Sequence, residues 1–203
     1  MWDNATIENR IVEQLARTEA GLQYAWEHAP RPMWILVAGH YPIFSTGEHG
    51  DTDELVEYLN PLLDKYKVHA YVCGHDHFSA HLTKTCNVSL NGDNCTVNSA
   101  TWATEHFIAG GGALIDEHEA DSTAKLQWAG MGYASFASVS INSRQFFVAY
   151  RDLYGNITYS FELSNPHLDG TFWDQNRLQS QAASAGLTGT LSDLLLSAYI
   201  DDR

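Results

Sequence analysis

Residues 34–77 read WILVAGHYPIFSTGEHGDTDELVEYLNPLLDKYKVHAYVCGHDH, and this stretch decides the fold class. Trp34 to His40 is a short, nearly continuous apolar run, which predicts a strand buried on both faces. Tyr41 to Asp51 reads as a loop. Thr52 to Lys65 places Leu55, Leu59, Leu62 and Leu63 on one side of a helix that Pro61 bends or shortens. Val68 to Cys73 is a second buried strand. Strand, helix, strand in that order is a right-handed parallel crossover. Ligands of such sheets bind beyond the carboxyl ends of the strands, and here both strands end in Gly-His.

Working outward, Ile7, Ile11, Leu15, Leu22 and Ala25 with Trp26 fall at helical spacing, and the run APRPM at 29–33 stops that helix. Downstream, the short runs HFIAGG (106–111), YASFASVSI (133–141), FFVAYRD (146–152) and NITYSFEL (156–163) predict antiparallel strands and hairpins. The fold class is therefore α/β with α+β character: an α/β front and an all-β back. Residues 1–163 are expected to form one domain. Residues 164–203, rich in Ser, Ala and Gly, form a carboxyl-terminal extension in which only LSDLLLSAYI (191–200) reads as helical.

The chain has 203 residues, 44% hydrophobic and 18% charged, which excludes a disordered or low-complexity protein. A net charge of −14 with no basic run disfavours nucleic acid and anionic membranes as partners. No stretch approaches the length of a membrane span. Ten histidines are many for this length, and histidine is both a metal ligand and a proton-transfer group.

Four sequons, at Asn4, Asn87, Asn94 and Asn156, point to glycosylation in the secretory pathway. Cys86 and Cys95 flank a polar turn at a spacing that suits a small-loop disulfide; the alternative is two free thiols in a loop. Cys73 sits in an apolar run and reads as a small buried hydrophobe. The amino terminus has neither the basic nor the apolar region of a signal peptide. An exported chain without one implies that the true beginning lies upstream.

The chemistry concentrates at three places. Gly39-His40-Tyr41-Pro42 and Gly74-His75-Asp76-His77 each put histidine at the exit of a predicted strand, after a glycine that lets backbone approach closely. His75 and His77, two apart, would project to one side of extended backbone and serve one site or two adjacent metals. The third place is His49, on the loop that leaves the first strand, where it would hold a substrate or protonate a leaving oxygen. Elsewhere, Glu105-His106 and Asp116-Glu117-His118-Glu119 read as solvated loops, and His81 as surface. His28, His69 and His167 carry no signal. Trp102, Trp128 and Trp173 read as core.

These motifs resemble the carboxyl-terminal half of the calcineurin-like metallophosphoesterases, most of all the purple, tartrate-resistant type of acid phosphatase, from about Gln14 to Leu163. The resemblance implies a four-layer α/β/β/α sandwich and a binuclear metal centre of iron with iron, zinc or manganese. His40 and His75 would bind the second, divalent metal and His77 the first, ferric one. His49, with Glu48 beside it, would contact the substrate. The implied reaction is hydrolysis of a phosphate monoester by attack of metal-bound hydroxide. Gly110-Gly111-Gly112 resembles a later glycine-rich turn of the family but reads first as a plain turn.

Met1 to Pro32 contains none of the Asp-x-Gly, Gly-Asp and Gly-Asn-His segments that supply the family's other ligands. The expectation is a fragment whose partner is the missing amino-terminal half of the domain, with an exposed strand edge, little activity of its own, and a secreted or lysosomal/vacuolar parent. The alternatives are a non-catalytic half-domain and a mononuclear metal-binding protein using His40, His75 and His77.

Overall fold

The structure is a computed structural model that describes residues 4–28, 33–85, 96–97, 100–101, 103–115 and 120–165. Elements run α1 (Asn4–His28), β1 (Leu36–Ala38), α2 (Asp53–Tyr58), α3 (Asn60–Lys65), β2 (Ala70–Cys73), β3 (Ser79–Thr85), β4 (Thr96–Val97), β5 (Ala100–Thr101), β6 (Ala103–Ala109), β7 (Lys125–Gly130), β8 (Ser135–Ile141), β9 (Gln145–Asp152) and β10 (Ile157–Ser164). The expected disulfide of Cys86 and Cys95, the sequons at Asn87 and Asn94, residues 116–119, Trp102, and everything from 166 onward, with Trp173 and His167, lie outside the described residues.

The predicted helix over 52–65 is two short ones. Leu59 ends α2, and Pro61 falls in the first turn of α3, where a missing N–H costs nothing. Glu19 of α1 accepts hydrogen bonds from Lys65 Nζ (2.6 Å) and Tyr66 Oη (3.2 Å), which dock α1 on α3.

Five strands form a mixed sheet in the order β1-β2-β6-β3-β7. β1, β2 and β6 run parallel, with Leu36 beside Ala70 and Ala70 beside Glu105, as the crossover predicts. β3 runs antiparallel to both β6 and β7. A second, antiparallel sheet has the order β10-β9-β8. On one face of the mixed sheet a core of Ile43, Phe44, Leu63, Val68, Leu82 and Ile108 packs under α2 and α3. On its other face Ala70 and Phe107 meet Phe146, Val148 and Tyr150 of the second sheet. Helices, mixed sheet and antiparallel sheet are thus three of the four expected layers.

Two polar pins cross between the sheets. The Tyr150 hydroxyl lies 2.7 Å from the Ala80 carbonyl and 2.8 Å from that of Ile108, so one buried proton is shared between β3 and β6. His81 is fully buried between the rings of Phe107 and Phe161. Its Nδ1 pairs with Tyr159 Oη at 2.7 Å and its Nε2 with Glu105 Oε2 at 2.8 Å, while Thr83 Oγ1 donates to the same carboxylate oxygen at 2.6 Å.

These residues correct the surface reading of His81 and the loop reading of Glu105-His106. Both segments are interior strands whose neighbours cover them. His106 is buried against Phe44 with neither ring nitrogen hydrogen-bonded among the described residues, and burial pushes its pKa down to about 3. His69 is also buried, accepting the Ile35 N–H at 3.0 Å. Trp128 stacks on Tyr159, as a core residue should.

The strand after Trp34 is not buried on both faces. β1 is the sheet edge, and Leu36, on the same face as Ala70, is 38% exposed. Across from it, Val139 and Ile141 of edge strand β8 share the inward face of Val148 and Phe146 yet are 47% and 45% exposed. Trp34 Nε1 donates to the Asn142 carbonyl at 2.7 Å and ties these two edges together. Among the described residues, then, the space between the sheets is open along β1 and β8.

Candidate metal and phosphate site

The two Gly-His exits meet. Gly39 continues the pairing beyond β1, its N–H donating to the Val72 carbonyl at 3.0 Å, and the Gly74 N–H reaches the His40 carbonyl at 3.1 Å. Gly39 is required by contact. A Cβ there would stand 2.0 Å from Tyr71 Oη, which donates to the Tyr41 carbonyl at 2.8 Å. Gly74 has no such constraint, since a Cβ there would meet open space. The strain falls one residue later. His75 has φ +63°, a left-handed conformation uncommon outside glycine and frequent at functional sites.

This bend, rather than the extended backbone inferred from spacing, directs the imidazoles. His75 Nδ1 lies 3.4 Å from His40 Nε2, and the His49 ring centre lies 5.0 Å from that of His75. Tyr41 packs on His75 at 4.2 Å. Burial lowers the His75 pKa; Asp76 opposes this, and charge on His49, His40 or His77 would lower it further. His77 thus shares the electrostatic environment of the cluster. Glu48 is exposed on the turn beside His49.

The His49 loop is held by carboxylates that the sequence did not single out. Asp51 accepts the Ser45 N–H (3.0 Å), Ser122 Oγ–H (2.6 Å), and the Thr123 N–H (2.8 Å) and Oγ1–H (2.7 Å). Asp76, fully buried, accepts the Ser45 hydroxyl through Oδ2. One ligand atom each from His49, His75 and Asp76 lies within 4.8 Å of the others. Gly110 is more than a plain turn residue, since a Cβ there would stand 2.0 Å from the Asp76 carbonyl oxygen.

The donor set fits a metal. Two imidazole nitrogens bound tetrahedrally at ordinary metal–nitrogen lengths lie about 3.4 Å apart, which is the His40–His75 separation. A depressed His75 pKa favours the neutral imidazole that ligation needs. Of the expected glycosylation sites, Asn4 opens α1, and Asn156 is exposed at the β9–β10 turn, where its Nδ2 donates to Asp152 Oδ2 at 2.9 Å. No helix among the described residues is long and apolar enough to cross a membrane.

Residues 1–79 match the family model of the calcineurin-like phosphoesterases. The chain is 52% identical over 64 residues to human tartrate-resistant acid phosphatase type 5, covering 32% of this chain and 20% of that protein. It is 30% identical over 167 residues to purple acid phosphatase 7 of Arabidopsis thaliana, covering 80% of this chain and 44% of that one. It therefore spans between a fifth and under half of the length of these relatives. Among solved structures, the purple acid phosphatase PPD1 of yellow lupin superposes with a TM-score of 0.56 at 23% identity, over 75% of this chain and 28% of its own. GAP50, the anchor in the inner membrane complex of Plasmodium, superposes at 0.62 and 22% identity, over 91% and 53%. At these identities the structural likeness speaks for the fold alone.

Proposed function

We propose that this chain, similar to the calcineurin-like phosphoesterases of the purple, tartrate-resistant acid phosphatase type, carries the histidine side of a metal-dependent phosphomonoesterase centre. The observation that carries the reading is the convergence of His40, His75 and His49 from two adjacent strand exits. His40, His75 and His77 would hold a pair of metals, iron with iron, zinc or manganese. Bound there, the pair supplies Lewis acidity toward the phosphate ester and a nucleophile from water at neutral or acidic pH.

The rest is the work of the chain. His49, not itself counted among the ligands, has its ring 5.0 Å from that of His75, and in this reading it touches the phosphate group and passes a proton to the departing alcohol oxygen. Glu48, exposed beside it, adds a polar wall to the substrate side. The strained His75 bend and the close Gly39–Tyr71 contact fix the two ligand loops against each other. Pre-set geometry of this kind lowers the cost of ordering the site when it fills.

The bridging carboxylate and the tyrosine and asparagine ligands of such centres would come from a complementary amino-terminal half of the domain, with residues 1–163 as this half and 164–203 as an extension. A secreted or lysosomal/vacuolar parent accords with the exposed Asn156 sequon, and the same setting would glycosylate Asn4, Asn87 and Asn94 and oxidise Cys86 with Cys95. The test is hydrolysis of p-nitrophenyl phosphate by the purified 203-residue chain with Fe, Zn or Mn. We expect metal uptake with turnover far below that of an intact enzyme; turnover at an intact enzyme's rate refutes the half-site reading, and no metal uptake refutes the centre.

A further inference from the structure

Resting on the metal-centre reading above, the geometry points to Asp76 as the positioning residue of the histidine cluster, a buried carboxylate that clamps the loop leaving β1 to the loop leaving β2 through Ser45. Asp76 is fully buried, yet it lies between two histidines in sequence and within 4.8 Å of the ligand atoms of His49 and His75. A carboxylate withdrawn from water is retained only where charge or hydrogen bonds compensate it. Here the compensation on one oxygen is the Ser45 hydroxyl. The other oxygen, Oδ1, is buried with no hydrogen-bond partner among the described residues.

Ser45 is the hub of the clamp. While its hydroxyl donates to Asp76, its Oγ accepts the Gly47 N–H at 3.0 Å, and its own N–H donates to Asp51 at 3.0 Å. The turn that carries His49 is thereby fastened to the residue that follows His75. The fit leaves no slack, since a Cβ on Gly47 would come within 2.7 Å of Asp76 Oδ2 and 2.6 Å of the Phe78 ring. A Cβ on Gly110 would likewise come within 2.0 Å of the Asp76 carbonyl oxygen. Asp76 is thus closely packed by Gly47 and Gly110 and bonded by Ser45, with only Oδ1 left without a hydrogen-bond partner among the described residues. A negative charge fixed beside the imidazoles also favours a cation over a proton-free, empty cluster.

The test uses the whole chain and Co²⁺ as the probe, with two readouts: Co²⁺ affinity followed by visible absorption, and amide hydrogen exchange at Gly47 without metal. Ser45→Ala removes the clamp but keeps every imidazole and the carboxylate. Asp76→Asn keeps an oxygen for the Ser45 hydroxyl but removes the charge. We expect Ser45→Ala to speed exchange at Gly47 and to weaken Co²⁺ binding about 10- to 100-fold, the usual effect of losing an outer-shell partner. Asp76→Asn should keep Gly47 protected and still lose affinity, and it decides the matter on affinity if Ser45→Ala does not fold. Parent-like affinity in either folded variant overturns the proposal. If the parent chain takes up no Co²⁺, the metal reading has failed on its own; Gly47 exchange then decides the clamp, acceleration in Ser45→Ala upholding it and unchanged exchange overturning it.

Discussion

Asp64 contributes more stability in acid than at neutrality, and replacing it with asparagine should abolish that pH-dependent contribution. The side chain sits at the end of α3, 3% exposed, with Oδ1 unpartnered among the described residues and Oδ2 3.3 Å from Asn60 Nδ2. Burial raises its pKa from 3.8 to about 6, with Lys67, Lys84 and Asn60 pulling the other way. The folded state therefore holds this proton more tightly than the unfolded chain does. Stability is full below about pH 4, falls between pH 4 and 6 as the unfolded carboxylate ionises first, and is flat above. A shift of about two units is worth about 3 kcal/mol at most. Asp64→Asn, which cannot ionise, should be more stable than the parent by up to that amount at pH 7 and indistinguishable at pH 4. Urea unfolding of both proteins at half-unit steps from pH 4 to 7 gives the difference curve, in which other titrating groups cancel. A flat difference across that window, or a parent that gains stability relative to the variant as pH rises, refutes the reasoning.

Gly39→Ala should displace Tyr71, cost about 1–3 kcal/mol, and lower Co²⁺ affinity by moving His40; Tyr71→Phe, by removing the oxygen that lies 2.0 Å from the new Cβ, should recover part of both losses, as a double-mutant cycle will read. His81→Leu should destabilise by about 3–5 kcal/mol in thermal melts, because it leaves the buried Glu105 carboxylate without its main partner. His81→Leu with Glu105→Leu together should cost less than His81→Leu alone, and equal or greater cost would dismiss the pair as the cause.

What could be read from the sequence was what local spacing encodes. The parallel pairing of β1 with β2 followed from two apolar runs and one amphipathic stretch, and the register of Leu36 with Ala70 bears it out. The two Gly-His exits were visible for the same reason. The interior position of His81 was not, because the residues that bury and bond it, Tyr159 and Phe161, lie 78 or more positions away. Strands β3 and β7 were missed likewise: β3 carries polar residues that are paired inside the fold, and β7 is an edge strand whose first residues are exposed. Asp76 stood inside the quoted motif but carries no outward mark of burial. The fully buried character expected of the Trp34–His40 run failed at Leu36, since an apolar run says that a face wants covering, not that anything covers it.

His40 hangs from the end of β1, and among the described residues β1 is hydrogen-bonded on one side only. Anything that pairs with its free side will stiffen the backbone leading into the imidazole. Whatever draws His40 toward His75 will in turn favour a β1 ready to pair. The two equilibria are coupled, and thermodynamic reciprocity requires each to strengthen the other by the same factor. A metal ion should therefore act as an assembly signal for the sheet as much as the sheet acts as a scaffold for the metal.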